Sequence, residues 1–142
     1  MKEAGLERFV EAQDPVIERV LLELRAGRKA SHWMWFVFPQ IQGLGHSPMA
    51  QRFAIGSRAE AEAYLAHPVL GPRLRECARL VNEVEGRTIE EIFGYPDYLK
   101  FRSSMTLFAH AGTDPRVFVE ALRKYFGGEY DPLTLDRLGN PP

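Results

Sequence analysis

The chain has 142 residues and a formal net charge of −1, enough for one domain with a single core and too few for a second. Apolar residues make up 45% and charged residues 26%, values that argue against disorder, collagen-like repeats and a long coiled coil. The near-zero charge disfavours a general nucleic-acid or membrane-surface binder, since both rely on a basic excess.

Cysteine occurs once, at Cys77, so no bridge forms within the chain. The opening residues MKEAGLERFV lack an apolar h-region, and together these features lead to the expectation of a cytoplasmic location. The longest apolar run, Trp33 to Phe38, is far shorter than the roughly 20 residues a membrane span needs.

In chain order, Leu6, Phe9 and Val10 keep helical spacing. Asp14-Pro15 then opens a segment carrying Ile17, Val20, Leu21 and Leu24, closed by Gly27. Asp or Ser can accept from orphan backbone N–H groups, and Pro at the first helical position sacrifices no hydrogen bond. Ser47-Pro48, Asp114-Pro115 and Asp131-Pro132 repeat that device. Two capping boxes, Ser57-x-x-Glu60 and Thr88-x-x-Glu91, mark further starts. Leu74, Cys77, Ala78 and Val81 form one stripe, and Phe118, Leu122, Tyr125 and Phe126 another. Gly86, Gly94, Gly112, Gly127 and Gly139 follow helical patterns, as αL caps do. The period is that of helices throughout, with no hairpin signal. The expected fold is all-α: one domain over residues 1–139 of about eight short to medium helices, with a frayed tail at 140–142.

The block from Ser31 to Gln40, SHWMWFVFPQ, is ambiguous, because its aromatic and β-branched content also suits a buried strand. A helix is the better expectation, since a lone strand would leave its backbone groups without a ladder to join.

Three segments hold side chains with chemical capacity. In the first, Trp33 or Trp35 could stack on a planar ligand, His32 could act as general acid or base, and Lys29 and Gln40 add polar groups nearby. The competing expectation for this block is plain core, with its polar groups satisfied internally. In the second, Gly43-Leu44-Gly45-His46-Ser47-Pro48 runs into a helix start and could bring backbone N–H groups to an anion. It has neither the G-x-G-x-x-G spacing nor a Walker lysine. In the third, Asp97, Lys100 and Ser104 share a helix face at i, i+3 and i+7, beside Arg102 and Ser103. Asp97 could also be no more than a cap, and Lys100 and Arg102 no more than solvated surface. His67 and His110 fall at helix ends, and Cys77 falls on a core stripe. No His or Cys spacing suits a metal, and no cofactor is implied.

The strings RxGxKxSHWMWFxFPQ (Arg25 to Gln40), GLGxSPMAQRFAI, HPVLGPRLREC, IFGxPD and KFRSSMTLF closely resemble the bacterial family called Domain of Unknown Function 1810, over nearly the whole chain. The resemblance implies a small cytosolic all-α domain and supplies neither an activity nor catalytic residues. Where that family commonly reads Pro-Asp-Asp, this chain has Pro96-Asp97-Tyr98.

Two functions are therefore weighed. One is a pocket for a small phosphate-bearing ligand, of nucleotide or ADP-ribose type, with His32 and Asp97 as catalytic candidates for hydrolysis. Lys29, Trp33, Trp35, Gln40, Gly43, Gly45, Lys100, Arg102, Ser103 and Ser104 would bind the ligand, with Arg28 and Arg52 as further cations. The other is a non-enzymatic helical module that presents its aromatic block to a protein partner. Neither a membrane nor a nucleic-acid partner is expected.

Overall fold

The computed structural model describes residues 5–139, and the expected tail at 140–142 lies outside them. Ten helices occur among the described residues: α1 (Glu7–Gln13), α2 (Ile17–Arg25), α3 (Met34–Val37), α4 (Pro48–Arg52), α5 (Arg58–Ala66), α6 (Leu70–Glu83), α7 (Ile89–Phe93), α8 (Asp97–Ala109), α9 (Arg116–Phe126) and α10 (Pro132–Leu138). The all-α expectation holds. There are ten helices rather than about eight; the shortest, α3, α4 and α7, fall at the Ser31–Gln40 block, the Ser47-Pro48 start and the Thr88 capping box.

Four of the six starts marked by a cap or capping box obey the capping chemistry. Ser47, Ser57 and Asp131 accept from the backbone N–H three residues on, and Thr88 with Glu91 completes a reciprocal capping box, satisfying donors the helix cannot. Asp14-Pro15 and Asp114-Pro115 are exceptions: α9 starts at Arg116, with Pro115 at its N-cap and no side-chain cap. Asp14 ends α1, its N–H bonding to the Val10 carbonyl, and α2 starts after Val16 with no side-chain cap. Gly27, Gly86, Gly94, Gly127 and Gly139 take positive φ, but Gly112 does not. At Gly112 a side chain would press on Leu65, 2.7 Å from the position of its Cβ, so packing rather than an αL cap suits glycine there.

The Ser31–Gln40 block is helical only over α3. Beyond it the backbone runs to a single isolated parallel bridge between Ile41 and Ile55. The Gln42 N–H donates to the Ile55 carbonyl at 2.8 Å, and the Ile55 N–H to that of Gln40 at 2.9 Å. Among the described residues no strand extends from it.

Helix α8 lies centrally, packing on α5, α7, α9 and α10, while α6 packs on α2, α5 and α9. Trp33, Phe38, Phe101, Phe108 and Phe118 are enclosed. Their rings meet edge to face or offset: Phe38 against Phe101 at 5.0 Å between centroids, and Phe93 against Phe101 at 4.9 Å. Such pairs add about 0.5–1.5 kcal/mol each beyond area burial. Gln13, also buried, donates to the Phe36 carbonyl at 2.7 Å and to the Tyr64 hydroxyl at 3.0 Å, tying α1 to α3 and α5. No helix among the described residues is long and apolar enough to cross a membrane.

Candidate functional site

The site residues expected from sequence fall into separate groups. The first is built where the 26–33 turn meets the start of α8. Lys29 Nζ lies 2.9 Å from Asp97 Oδ2, and Lys100 Nζ lies 3.5 Å from Asp97 Oδ1. The Lys29 ammonium stands over the Trp33 ring and that of Lys100 over Trp35, each 5.4 Å from the centroid. Segments more than sixty positions apart thus meet through one carboxylate, two ammonium groups and two indoles. The Lys29 and Asp97 side chains are only 10% and 19% exposed, so their attraction is screened less than that of a surface pair.

Trp33 itself is 1% exposed, which leaves its ring no open face for a ligand. Its indole N–H donates to Glu23 Oε1 at 2.8 Å, and the same carboxylate accepts from the Ala30 and Ser31 amides and the Ser31 hydroxyl. Burial opposes ionisation of Glu23. The bonds from the Ala30 amide, the Ser31 hydroxyl, the Trp33 indole and the Ser31 amide outweigh it, holding the carboxyl below its ordinary value. Glu23 is absent from the sequence candidates because nothing in a helical stripe distinguishes a carboxylate that folds back on the next turn. Trp35 is half-buried and His32 exposed.

Further along α8 the expected polar stripe separates. Arg102 donates to the carbonyls of Glu129 and Tyr130, and Ser103 Oγ to the Leu99 carbonyl and to Asp131 Oδ2. These two residues tether the turn that enters α10. Ser104 is fully buried, with no partner for its hydroxyl among the described residues.

The second group surrounds the glycine loop. A cleft of about 390 Å³ is lined by Gln40, Gln42, Gly43, Gly45, His46, Gln51 and Arg137, with Ile41, Ala50 and Ala54 as its apolar wall. A smaller cavity of about 230 Å³ adjoins it, sharing Ile41, Gln42 and Arg137. Among the described residues no Asp or Glu lines either one. Gly43 has φ +98°, and a Cβ there would lie 2.4 Å from Arg137 Cζ, so the guanidinium rests directly against the glycine backbone. Gly45 is held close by α4 instead, a Cβ there falling 2.6 Å from that of Ala50.

The loop is tied down at several points. The Ile41–Ile55 bridge secures its start, Gln51 Nε2 donates to the His46 carbonyl at 3.0 Å, and Ser47 caps α4. Since α4 has only five residues, its dipole adds little and the side chains must supply the polarity. Arg137, contributed by the distant α10, was not among the sequence candidates, and no local signal marks it. Among the described residues it makes neither an ion pair nor a hydrogen bond.

His32, Gln40, Asp97, Lys100 and Ser104 therefore do not line one concavity. Gln40 belongs to the cleft, Asp97 and Lys100 to the ion cluster, Ser104 to the core, and His32 to the surface. No group of three or more potential metal ligands occurs among the described residues.

The chain matches a family model described as "Protein of unknown function (DUF1810)" over residues 3–138. It is similar to the conserved hypothetical protein Rv1873 from Mycobacterium tuberculosis, known from a crystal structure. The two are 60% identical with a TM-score of 0.93, and the alignment covers 94% of this chain and 96% of that one. No curated protein matches it.

Proposed function

Because this chain belongs to the DUF1810 family, whose description specifies no activity, we propose from its geometry that it binds a small phosphate-bearing ligand in the cleft beside Gly43. One observation carries the reading: among the described residues, the Arg137 guanidinium has no acidic partner and rests against a loop in a cleft that no carboxylate lines. Arg presents a planar fork that matches phosphate oxygens two at a time. Gln40, Gln42, Gln51 and His46 offer further polar groups for a sugar or base, in a volume suited to a nucleotide-sized molecule. The tied-down loop requires little ordering on binding, which favours affinity.

The reading is one of binding and includes no reaction. His32 and Asp97, the two acid–base candidates, sit outside the cleft, and Asp97 already holds two ammonium groups. A cytoplasmic location belongs to the same proposal, supported by the single, buried, unpaired Cys77. A protein-binding role for the aromatic block has less support. Trp33, Met34, Phe36, Val37 and Phe38 are all enclosed in the chain's own core and are not available as interface anchors.

The test is thermal unfolding with adenosine monophosphate, ribose 5-phosphate and inorganic phosphate. A ligand at 100 times its dissociation constant adds about 2.7 kcal/mol, and the resulting rise in Tm is expected to vanish in Arg137→Ala. Absence of any rise with all three probes, or a rise that survives in Arg137→Ala, overturns the proposal.

A further inference from the structure

A second cavity, of about 440 Å³, lies where α5 and α6 meet the turn from α8 to α9. Its polar groups differ in kind from those beside Gly43, since they include opposite charges: Glu62 from α5 and Arg75 from α6, with His110 and Thr113 from the turn. We propose that it is a separate site for a zwitterion of the α-amino-acid class with an apolar side chain.

Arg75 is held in place by its own contacts. Its Nη1 donates to the Asp114 carbonyl at 2.6 Å, and the guanidinium stacks on Phe118 at 5.2 Å. Nη2 points to the cavity wall, 3.6 Å from where a Gly112 Cβ would stand, and has no acceptor among the described residues. The neighbouring Asp114 carboxylate does not absorb this donor, because Arg116 grips both its oxygens at 2.8 and 3.0 Å. Among the described residues Glu62 has no ion-pair partner either. The cavity thus presents one free guanidinium edge and one free carboxylate that do not neutralise each other.

His110 sets the remaining polarity. Its Nδ1 lies 2.8 Å from the Thr106 carbonyl, which can only accept, so Nδ1 carries a hydrogen, and in the Nδ1–H tautomer Nε2 is an acceptor. The ring is steadied edge-on by Tyr130, 4.7 Å between centroids. A ligand ammonium is then matched by Glu62 and His110 Nε2, and its carboxylate by Arg75 Nη2 and the Thr113 hydroxyl. Leu65 and Ala111 supply an apolar wall for the side chain. This assignment does not depend on the phosphate reading, which concerns other residues.

The experiment is an NMR titration of the full ¹⁵N-labelled chain with L-leucine, with 4-methylpentanoate as the carboxylate-only analogue, and with 3-methylbutylamine as the ammonium-only analogue. Leucine is expected to cause saturable shifts in the amides of residues 62–66 and 110–113, with each half-ligand binding at least about tenfold more weakly, or about 1.4 kcal/mol. Glu62→Gln, a surface change, should weaken leucine by a similar factor and leave the affinity for 4-methylpentanoate unchanged. No saturable shift with leucine, equal affinity for leucine and 4-methylpentanoate, or indifference to Glu62→Gln each overturns the proposal.

Discussion

The Trp33 indole donates to Glu23 Oε1 at 2.8 Å, and through this bond a side chain on α2 fixes the turn that enters the aromatic core. The same carboxylate accepts three further bonds, from Ala30 and Ser31. Glu23→Ala leaves the buried indole N–H without a partner, at a cost of about 2 kcal/mol. We expect Tm to fall by roughly 5–10 °C, with a red-shifted tryptophan emission. An unchanged Tm would show that the Glu23 contacts contribute nothing net.

The sign of the pH dependence follows from the lowered pKa of Glu23. A carboxyl whose folded value lies below its unfolded one contributes stability above the unfolded value, and loses it as pH falls through the folded value. The Tm difference between the parent protein and Glu23→Gln is therefore largest near neutrality and narrows below about pH 4.5, the group's ordinary value. A difference that widens on acidification contradicts this assignment.

Lys29 and Asp97 form a partly buried pair, with Lys100 as second donor. Asp97→Asn removes the charge that balances both ammonium groups, and a loss of about 1–2 kcal/mol is expected, between the surface and the buried cases. A double-mutant cycle with Lys29→Met should yield a coupling of about 1 kcal/mol. Strict additivity in denaturant unfolding would mean that the contact is energetically idle.

The Ser104 hydroxyl is buried without a partner among the described residues, so Ser104→Ala removes a desolvated polar group and costs no hydrogen bond seen among them. Stability is expected to stay level or rise by up to about 1 kcal/mol. A marked loss would reveal a partner for the hydroxyl that the static structure lacks.

Much of the fold was legible along the chain, because caps and apolar stripes act over three to four residues and leave a local mark. Thr88 with Glu91, Ser57, Asp131 and the stripe through Leu74, Cys77 and Val81 all behave as their spacing suggests. Asp14-Pro15 misleads because the same dipeptide can end one helix as readily as open the next. The block from Ser31 to Gln40 resists assignment for another reason. Its partner, Ile55, lies beyond a glycine loop and a short helix, and no local period reports a single bridge.

The candidate site was legible only in part. Lys29, Asp97 and Lys100 do come together, and Gln40, Gly43 and Gly45 do line a cleft, but these are two places rather than one. Residue type along the chain settles helical class, core composition and the presence of polar groups, since those depend on burial and on neighbours a few positions away. Which cation reaches which concavity depends on tertiary packing. Arg137 reaches Gly43 from the far end of the chain, on a helix that packs against α8, a relation set by shape in three dimensions and invisible to spacing in one.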